Sequence, residues 1–226
     1  MTLERRAQWG RDAGRQILPA LGIRFKAIGK IPERGLLVSN HLSYLDILIY
    51  GTVLPCFFVS KAEISRWPFF GWMSRTGGTI YLERSSRASA EKVSKEIRER
   101  LDLPAMVVLF PEGTSTDGSK LLRFRSRLFA PAIDTGAPVT AAAIRYVPDD
   151  GAPERELCWY GDETFLPHLW TALGGAGFTA EVHFGEPRIY TDRRIAAEAA
   201  HAEVEEMRSG NRPTVQPDVQ VAAIVK

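Results

Sequence analysis

The sequence predicts an α/β fold, a single domain with a mixed, largely parallel sheet flanked by helices. Three observations predict it. Short apolar runs recur along the chain, and Met106–Phe110 (MVVLF) is wholly apolar and rich in β-branched residues, as strands covered on both faces are. Stretches of helical periodicity separate these runs, the alternation that builds parallel sheets. No linker-like change of composition occurs before about residue 209, and 226 residues are enough for one large core.

Taken in order, Leu3–Leu21 forms a first helix, because Trp9, Ala13, Ile17 and Leu21 recur at helical spacing while Arg5, Arg6, Arg11 and Arg15 fall mainly on the rest of the wheel. Gly22 ends it, and Ile23–Ile28 reads as a strand before the Pro32 turn. Gly35–Asn40 (GLLVSN) is a short buried strand, and Leu45, Ile47, Leu48 and Ile49 open a helix. The stretch from Leu45 to Val59 is interrupted by Asp46, Gly51 and Pro55, so it divides into that helix and a strand at Cys56–Ser60. Lys61–Met73 carries Trp67, Phe69, Phe70 and Trp72, rings suited to a core or to a membrane interface. In Gly77–Arg84 (GGTIYLER), Ile80–Leu82 is a strand with Arg84 at its end.

Ala88–Leu101 reads as a surface helix on the spacing of Val93, Ile97 and Leu101. After Met106–Phe110 comes a polar, glycine-containing loop, Pro111–Lys120. Phe129–Thr135 is read as helix, Pro138–Val147 as a buried strand, Leu157–Tyr160 and Glu181–Phe184 as later strands, and Ala196–Met207 as an alanine- and glutamate-rich helix. Residues 209–226, with Pro213 and Pro217, read as a loose tail, which leaves 1–208 as the domain.

Net charge is only +2, but Met1–Arg34 holds eight Lys and Arg against three acids. A basic amphipathic end suits an anionic lipid surface, and equally a solvated helix face. Cys56 and Cys158 show no metal-ligand spacing and no disulfide framework, which points to a reducing compartment. The N-terminus lacks the apolar stretch of a signal peptide, and no run reaches the roughly 18 apolar residues of a spanning helix. The expectation is a cytoplasmic protein with no transmembrane helix, peripheral on the inner face of the cytoplasmic membrane, with neither metal nor nucleic acid as partner.

The densest chemistry lies in Asn40–Asp46 (NHLSYLD), at the junction of a strand and a helix. Ser43 followed three residues later by an acid is a capping box, which puts His41 in the turn and Asp46 in the first helical turn. There a carboxylate can fix the imidazole tautomer through one nitrogen and leave the other able to take a proton. Asp46 could also serve only as a helix cap. The second concentration is Pro111–Lys120, where glycine-exposed amides precede Lys120, Arg123, Arg125 and Arg127. Turn amides with guanidinium groups make an anion cradle, and Arg84 is a further phosphate ligand on a separate strand end. Loops at the carboxyl ends of strands in open α/β sheets are where ligands bind, so the three pieces are expected on one edge.

In order and spacing, NHLSYLD, GTIYLER, FPEGTSTDG and APVTAAAI resemble the four sequence blocks of the glycerolipid acyltransferases, the 1-acyl-sn-glycerol-3-phosphate acyltransferase superfamily, over about Leu36–Val147. The resemblance implies that family's fold and gives each piece a role. His41 would be the general base on the acceptor hydroxyl and Asp46 its orienter. Arg84, Glu112, Gly113 and Thr114 would hold the acceptor's head. The hydroxyl would attack an acyl thioester directly, either acyl-CoA or acyl carrier protein, with no cofactor and no metal. A membrane lipid surface is the remaining partner.

This sequence departs from the family in having Ser115 where many members carry arginine and Ala141 where proline is usual. Arg125, Ser126 and Arg127 stand where a basic residue and glycine often do, and Arg125 is the candidate substitute phosphate reader. A spanning helix at the N-terminus, present in many relatives, is also lacking, which leaves the first helix and the Trp67–Trp72 cluster as expected membrane contacts. The leading acceptor is 1-acyl-sn-glycerol-3-phosphate, giving phosphatidic acid, and lyso-ornithine lipid is the alternative. A reading of another class is a non-catalytic peripheral lipid-binding protein.

Overall fold

Apolar alternation along the strands sorts the chain into three layers, a sheet between two sets of helices. The computed structural model describes residues 1–67, 70–82 and 87–210; Phe69, Arg84 and the tail beyond 210 lie outside them. Helix α1 (Leu3–Ala20) leads into β1 (Ile23–Ile28), β2 (Gly35–Ser39), α2 (Leu45–Val53), β3 (Cys56–Lys61), α3 (Phe70–Thr76), β4 (Ile80–Leu82) and α4 (Arg87–Leu101). Then follow β5 (Met106–Leu109), α5 (Ala130–Thr135), β6 (Val139–Pro148), α6 (Phe165–Gly174), β7 (Phe178–Phe184) and α7 (Arg193–Ser209). The strand order is β1-β7-β6-β2-β5-β3-β4. All neighbours run parallel except β6 with β7. No described helix is long and apolar enough to cross a membrane.

Every residue of β2 is buried, because it is the middle strand and both its faces are covered. Leu37 points into the core under α1, α2 and α6, whereas Leu36 and Val38 point into the core under α4, α5 and α7. Helix α1 packs closest on α2 at Gly14, where an added Cβ would stand 2.5 Å from Thr52 Oγ1, so glycine is needed for the approach. The deepest stripe of α1 is Ala7, Gly14 and Leu18, and the expected Trp9, Ala13 and Ile17 flank it half-buried. With Ile47, Leu48 and Phe58 these flanking residues line an apolar crevice of about 90 Å³.

Two expected boundaries move outward. Strand β7 begins at Phe178 because the alternation of buried positions runs Phe178, Ala180, Val182, Phe184. Helix α7 begins at Arg193 because Asp192 caps it, accepting from Arg194 N at 2.7 Å and Ile195 N at 3.0 Å. The strand expected at Leu157–Tyr160 does not form. Glu154–Leu157 is a 3₁₀ turn, and Trp159 N–H donates to Leu42 O at 2.9 Å, so this segment lies over the turn after β2 rather than in the sheet. Helix α6 was not anticipated at all. It sets Phe165 against Tyr44 and Trp67 and leaves Leu166 and Trp170 71% and 84% exposed.

Parallel pairing brings the carboxyl ends of β2, β5 and β6 to one edge. Strand β6 continues for six residues past its last pairing with β2, Ser39 with Ala142, and there its side chains stand over the turn after β2.

Candidate active site

The turn after β2 is held by side chains that imitate backbone. Asn40 ends the strand by donating from Nδ2 to Ile144 O at 3.0 Å and accepting from Ile144 N at 2.9 Å, which fastens the turn to β6. His41 follows, with its ring stacked on Phe110 at 4.1 Å between centroids and 14° between planes. Its Nδ1 stands 2.8 Å from Asp46 Oδ2. An ionised carboxylate only accepts, so Nδ1 carries the proton and Nε2 the lone pair. The His41 side chain keeps 19% of its exposure while that of Asp46 has none, and Nε2 has no partner among the described residues.

Asp46 gathers four donors. Oδ2 also accepts from Leu42 N at 2.8 Å and Ser43 N at 3.2 Å, and Oδ1 accepts from the Tyr146 hydroxyl. The Ser43 contact is the carboxylate half of the expected capping box. The other half differs, because Ser43 Oγ accepts from Leu45 N at 3.4 Å rather than from Asp46 N. Asp46 thus meets both the backbone of the turn ahead of α2 and the imidazole, so the geometry leaves room for both roles weighed from the sequence. Burial and the neighbouring carboxylate push the Tyr146 phenol well above its usual 10, so it stays a donor. Burial likewise pushes the Cys56 and Cys158 thiols up, which keeps both from serving as thiolate nucleophiles.

Glu112, placed at the acceptor's head by the resemblance, points inward instead. Oε1 accepts from His41 N and Oε2 from Leu122 N, each at 2.8 Å, and the residue is 3% exposed. Burial raises its pKa from 4.5, and the two amide donors oppose that rise. Gly113 has φ +77, and an added Cβ there would stand 2.6 Å from Arg125 Cζ, so the guanidinium lies directly on the glycine backbone. Thr114 is exposed on the same loop. Arg208, in the last turn of α7, fastens this loop by donating to Gly118 O at 2.8 Å and Ile144 O at 2.7 Å, while pairing with Glu154 Oε2 at 2.8 Å.

The structure thus brings His41, Asp46, Glu112, Gly113, Thr114 and Arg125 to one edge, and Arg84 lies outside the described residues. Sequence reasoning missed Tyr146 and Arg208. A tyrosine in a buried strand made mostly of alanine, valine and isoleucine was the available signal for Tyr146, since its hydroxyl must find a partner. Nothing in the sequence around Arg208 marks it. Among the described residues no three His, Cys, Asp or Glu gather as a metal would require.

A family model described as Acyltransferase matches residues 22–145. The lyso-ornithine lipid O-acyltransferase of Pseudomonas aeruginosa is 34% identical, over 76% of this chain and 66% of that protein. The 1-acyl-sn-glycerol-3-phosphate acyltransferase of Neisseria meningitidis is 36% identical, over 76% of this chain and 69% of that protein. The chain thus spans about two thirds of these relatives' length. In fold it is similar to the crystal structure of the 1-acyl-sn-glycerophosphate acyltransferase PlsC from Thermotoga maritima, with a TM-score of 0.68, 18% identity, and coverage of 93% of this chain and 81% of that one.

Proposed function

The chain belongs to the acyltransferase family, and on that premise we propose that it is a membrane-associated O-acyltransferase moving a fatty acyl group from a thioester to the free hydroxyl of a lysolipid. The observation that carries this reading is the His41–Asp46 pair at 2.8 Å, with Nε2 unpartnered among the described residues at the edge where three strands end. His41 Nε2 takes the acceptor's hydroxyl proton as the oxygen attacks the thioester carbonyl, and the thiolate then leaves with its electron pair. Asp46 holds the tautomer and stabilises the imidazolium that forms. A thioester is already activated, so a base, alignment and an oxyanion donor are enough.

We assign Glu112 to holding the two loops together, because both of its oxygens are engaged by backbone amides. Gly113, Thr114 and Arg125 then face the acceptor's head, and Arg84 is proposed to join them. The apolar crevice between α1, α2 and β3 suits part of an acyl chain, since Ile47 and Leu48 on its wall directly follow Asp46. Exposed Leu166 and Trp170 on α6, with Trp72 beside Trp9 of basic α1, supply an apolar surface for peripheral contact with the inner face of the membrane.

The leading acceptor is 1-acyl-sn-glycerol-3-phosphate. Lyso-ornithine lipid is the second reading, favoured by Ser115 in place of a phosphate-reading arginine and by the similarity to the Pseudomonas protein. Thiol release from acyl-CoA and acyl carrier protein, measured against lysophosphatidic acid, other lysophospholipids and lyso-ornithine lipid, separates them. Release dependent on one acceptor names the substrate. No acceptor-dependent release with any pair would overturn the proposal in favour of non-catalytic lipid binding.

A further inference from the structure

The basic run after the glycine loop divides. Arg125 lies on Gly113, whereas Arg123 turns to the other side of the segment, into a crevice of about 410 Å³ between this segment and α7. Arg194 and His201 of α7 face it there, Ser126 adds a hydroxyl, and Phe124 forms the floor, edge-on to His201 at 5.1 Å. Among the described residues Glu198 is the one carboxylate on its wall. Among the described residues neither Arg123 nor Arg194 has an ion-pair partner, and Glu198 closes onto neither. The backbone amide of Arg194 is taken by Asp192, but its guanidinium is not. Two guanidinium groups that have no ion-pair partner among the described residues, with a hydroxyl and an imidazole around one hollow, are the chemistry that recognises phosphate.

The crevice is tied to the site from both sides. Leu122, between two of its lining residues, donates its N–H to the Glu112 carboxylate whose other oxygen holds His41 N. Helix α7 runs from His201 to Arg208, about 10 Å along its axis, and Arg208 holds the glycine loop at Gly118 O. The acceptor's head is assigned to the other face of the segment, at Gly113 and Arg125, so a second anion site has a separate use.

We propose that Arg123, Arg194 and His201, with Ser126, form a subsite for the phosphate groups borne on the pantetheine arm of the acyl donor. The assignment rests on the acyl-thioester reading above. The same phosphate chemistry is carried by coenzyme A and by the phosphopantetheine of a carrier protein. The subsite meets it electrostatically in a crevice open to water, so donor affinity falls as salt rises.

The test compares kcat/KM for acyl-CoA, for acyl carrier protein, and for S-acyl pantetheine, which has no phosphate. Arg123→Ala and Arg194→Ala should each reduce the preference for acyl-CoA over S-acyl pantetheine by about tenfold, in KM rather than kcat. Arg194→Lys should restore part of it, and Glu198→Gln should increase the preference. A matching loss with acyl carrier protein would show that its phosphopantetheine uses the subsite too, and an effect confined to acyl-CoA would assign the subsite to coenzyme A. An unchanged preference in both alanine variants, or an equal loss with S-acyl pantetheine, would overturn the proposal. Titration calorimetry with coenzyme A itself reads the subsite apart from turnover. Binding weakened by Arg194→Ala in a protein that transfers no acyl group would uphold the anion site and defeat the transferase reading, whereas no effect on binding would defeat the subsite.

Discussion

The turn at His41 and the basic segment from Arg123 to Arg127 lie on either side of one carboxylate, and they are built in opposite ways. In the turn, Asp46 is wholly buried and meets four donors, Asn40 is locked to β6, and the imidazole is pinned between Phe110 and Asp46. In the basic segment the cations are exposed, and Arg123 has no ion-pair partner among the described residues. A group that must move a proton at a fixed distance gains from preorganisation, while groups that meet a flexible anion need only charge and reach. Damage to the first region should therefore appear in kcat and in stability. Damage to the second should appear in KM and in salt dependence.

Apart from His41 itself, Asp46→Asn should break the contrast most severely. An amide offers one acceptor and brings donor hydrogens where the carboxylate received four donors. Each donor left unmatched costs about 1–3 kcal/mol, and loss of the oriented base costs on the order of a hundredfold or more in kcat. Thermal melting with single-turnover assays separates the two, and a variant with normal melting and normal kcat would show that the buried network is ornamental.

Tyr146→Phe sharpens the same point, since it removes only the donor to Oδ1. We expect a loss of about 1–3 kcal/mol in stability and a fall of about tenfold in kcat with KM little changed, read from denaturant titration and steady-state kinetics. A change in KM alone would move Tyr146 from the proton chemistry to the binding side.

Glu112 joins the two regions and offers a pH test. Its folded-state pKa lies above 4.5, so the native protein holds this proton more tightly than the unfolded chain does. Its contribution is thus greatest below the unfolded value and is lost as pH rises through the window just above it. Glu112→Gln removes that dependence, so the melting advantage of wild type over the variant should shrink as pH rises through 4.5 and above it. An advantage that grows over this range would contradict the burial argument.

The smallest effect on the fold is expected from Trp170→Ala, because the side chain is 84% exposed. Stability should stay within about 0.5 kcal/mol of wild type, while co-sedimentation with anionic liposomes weakens severalfold. Unchanged sedimentation would remove α6 from the membrane surface.

The two regions also differ in how legible they were from sequence. The strand, turn and helix around His41 could be read in outline because local signals agree there: an apolar run, a histidine, and a serine and an acid at capping distance. What escaped was the part supplied from a distance. Tyr146 lies a hundred residues from Asp46 and Ile144 a similar distance from Asn40, contacts set by sheet register rather than by spacing. Helix α6 was missed because it is short, contains Pro167, and carries Leu166 and Trp170 on its exposed side as well as apolar residues toward the core. Leu157–Tyr160 looked like a strand by composition, but Cys158 N–H closes the local 3₁₀ turn on Arg155 O and Trp159 N–H goes to Leu42 O in the turn after β2. The basic run was visible as charge, yet its division between Gly113 and the α7 crevice depends on where Phe124 is buried.

The most direct test of the central claim is thiol release by His41→Ala with the preferred donor and acceptor, beside its melting curve. We expect release reduced by roughly a hundredfold to ten-thousandfold in a protein whose melting stays near wild type. Wild-type-like release from the folded variant would contradict it, and would require the acceptor's proton to leave by another route.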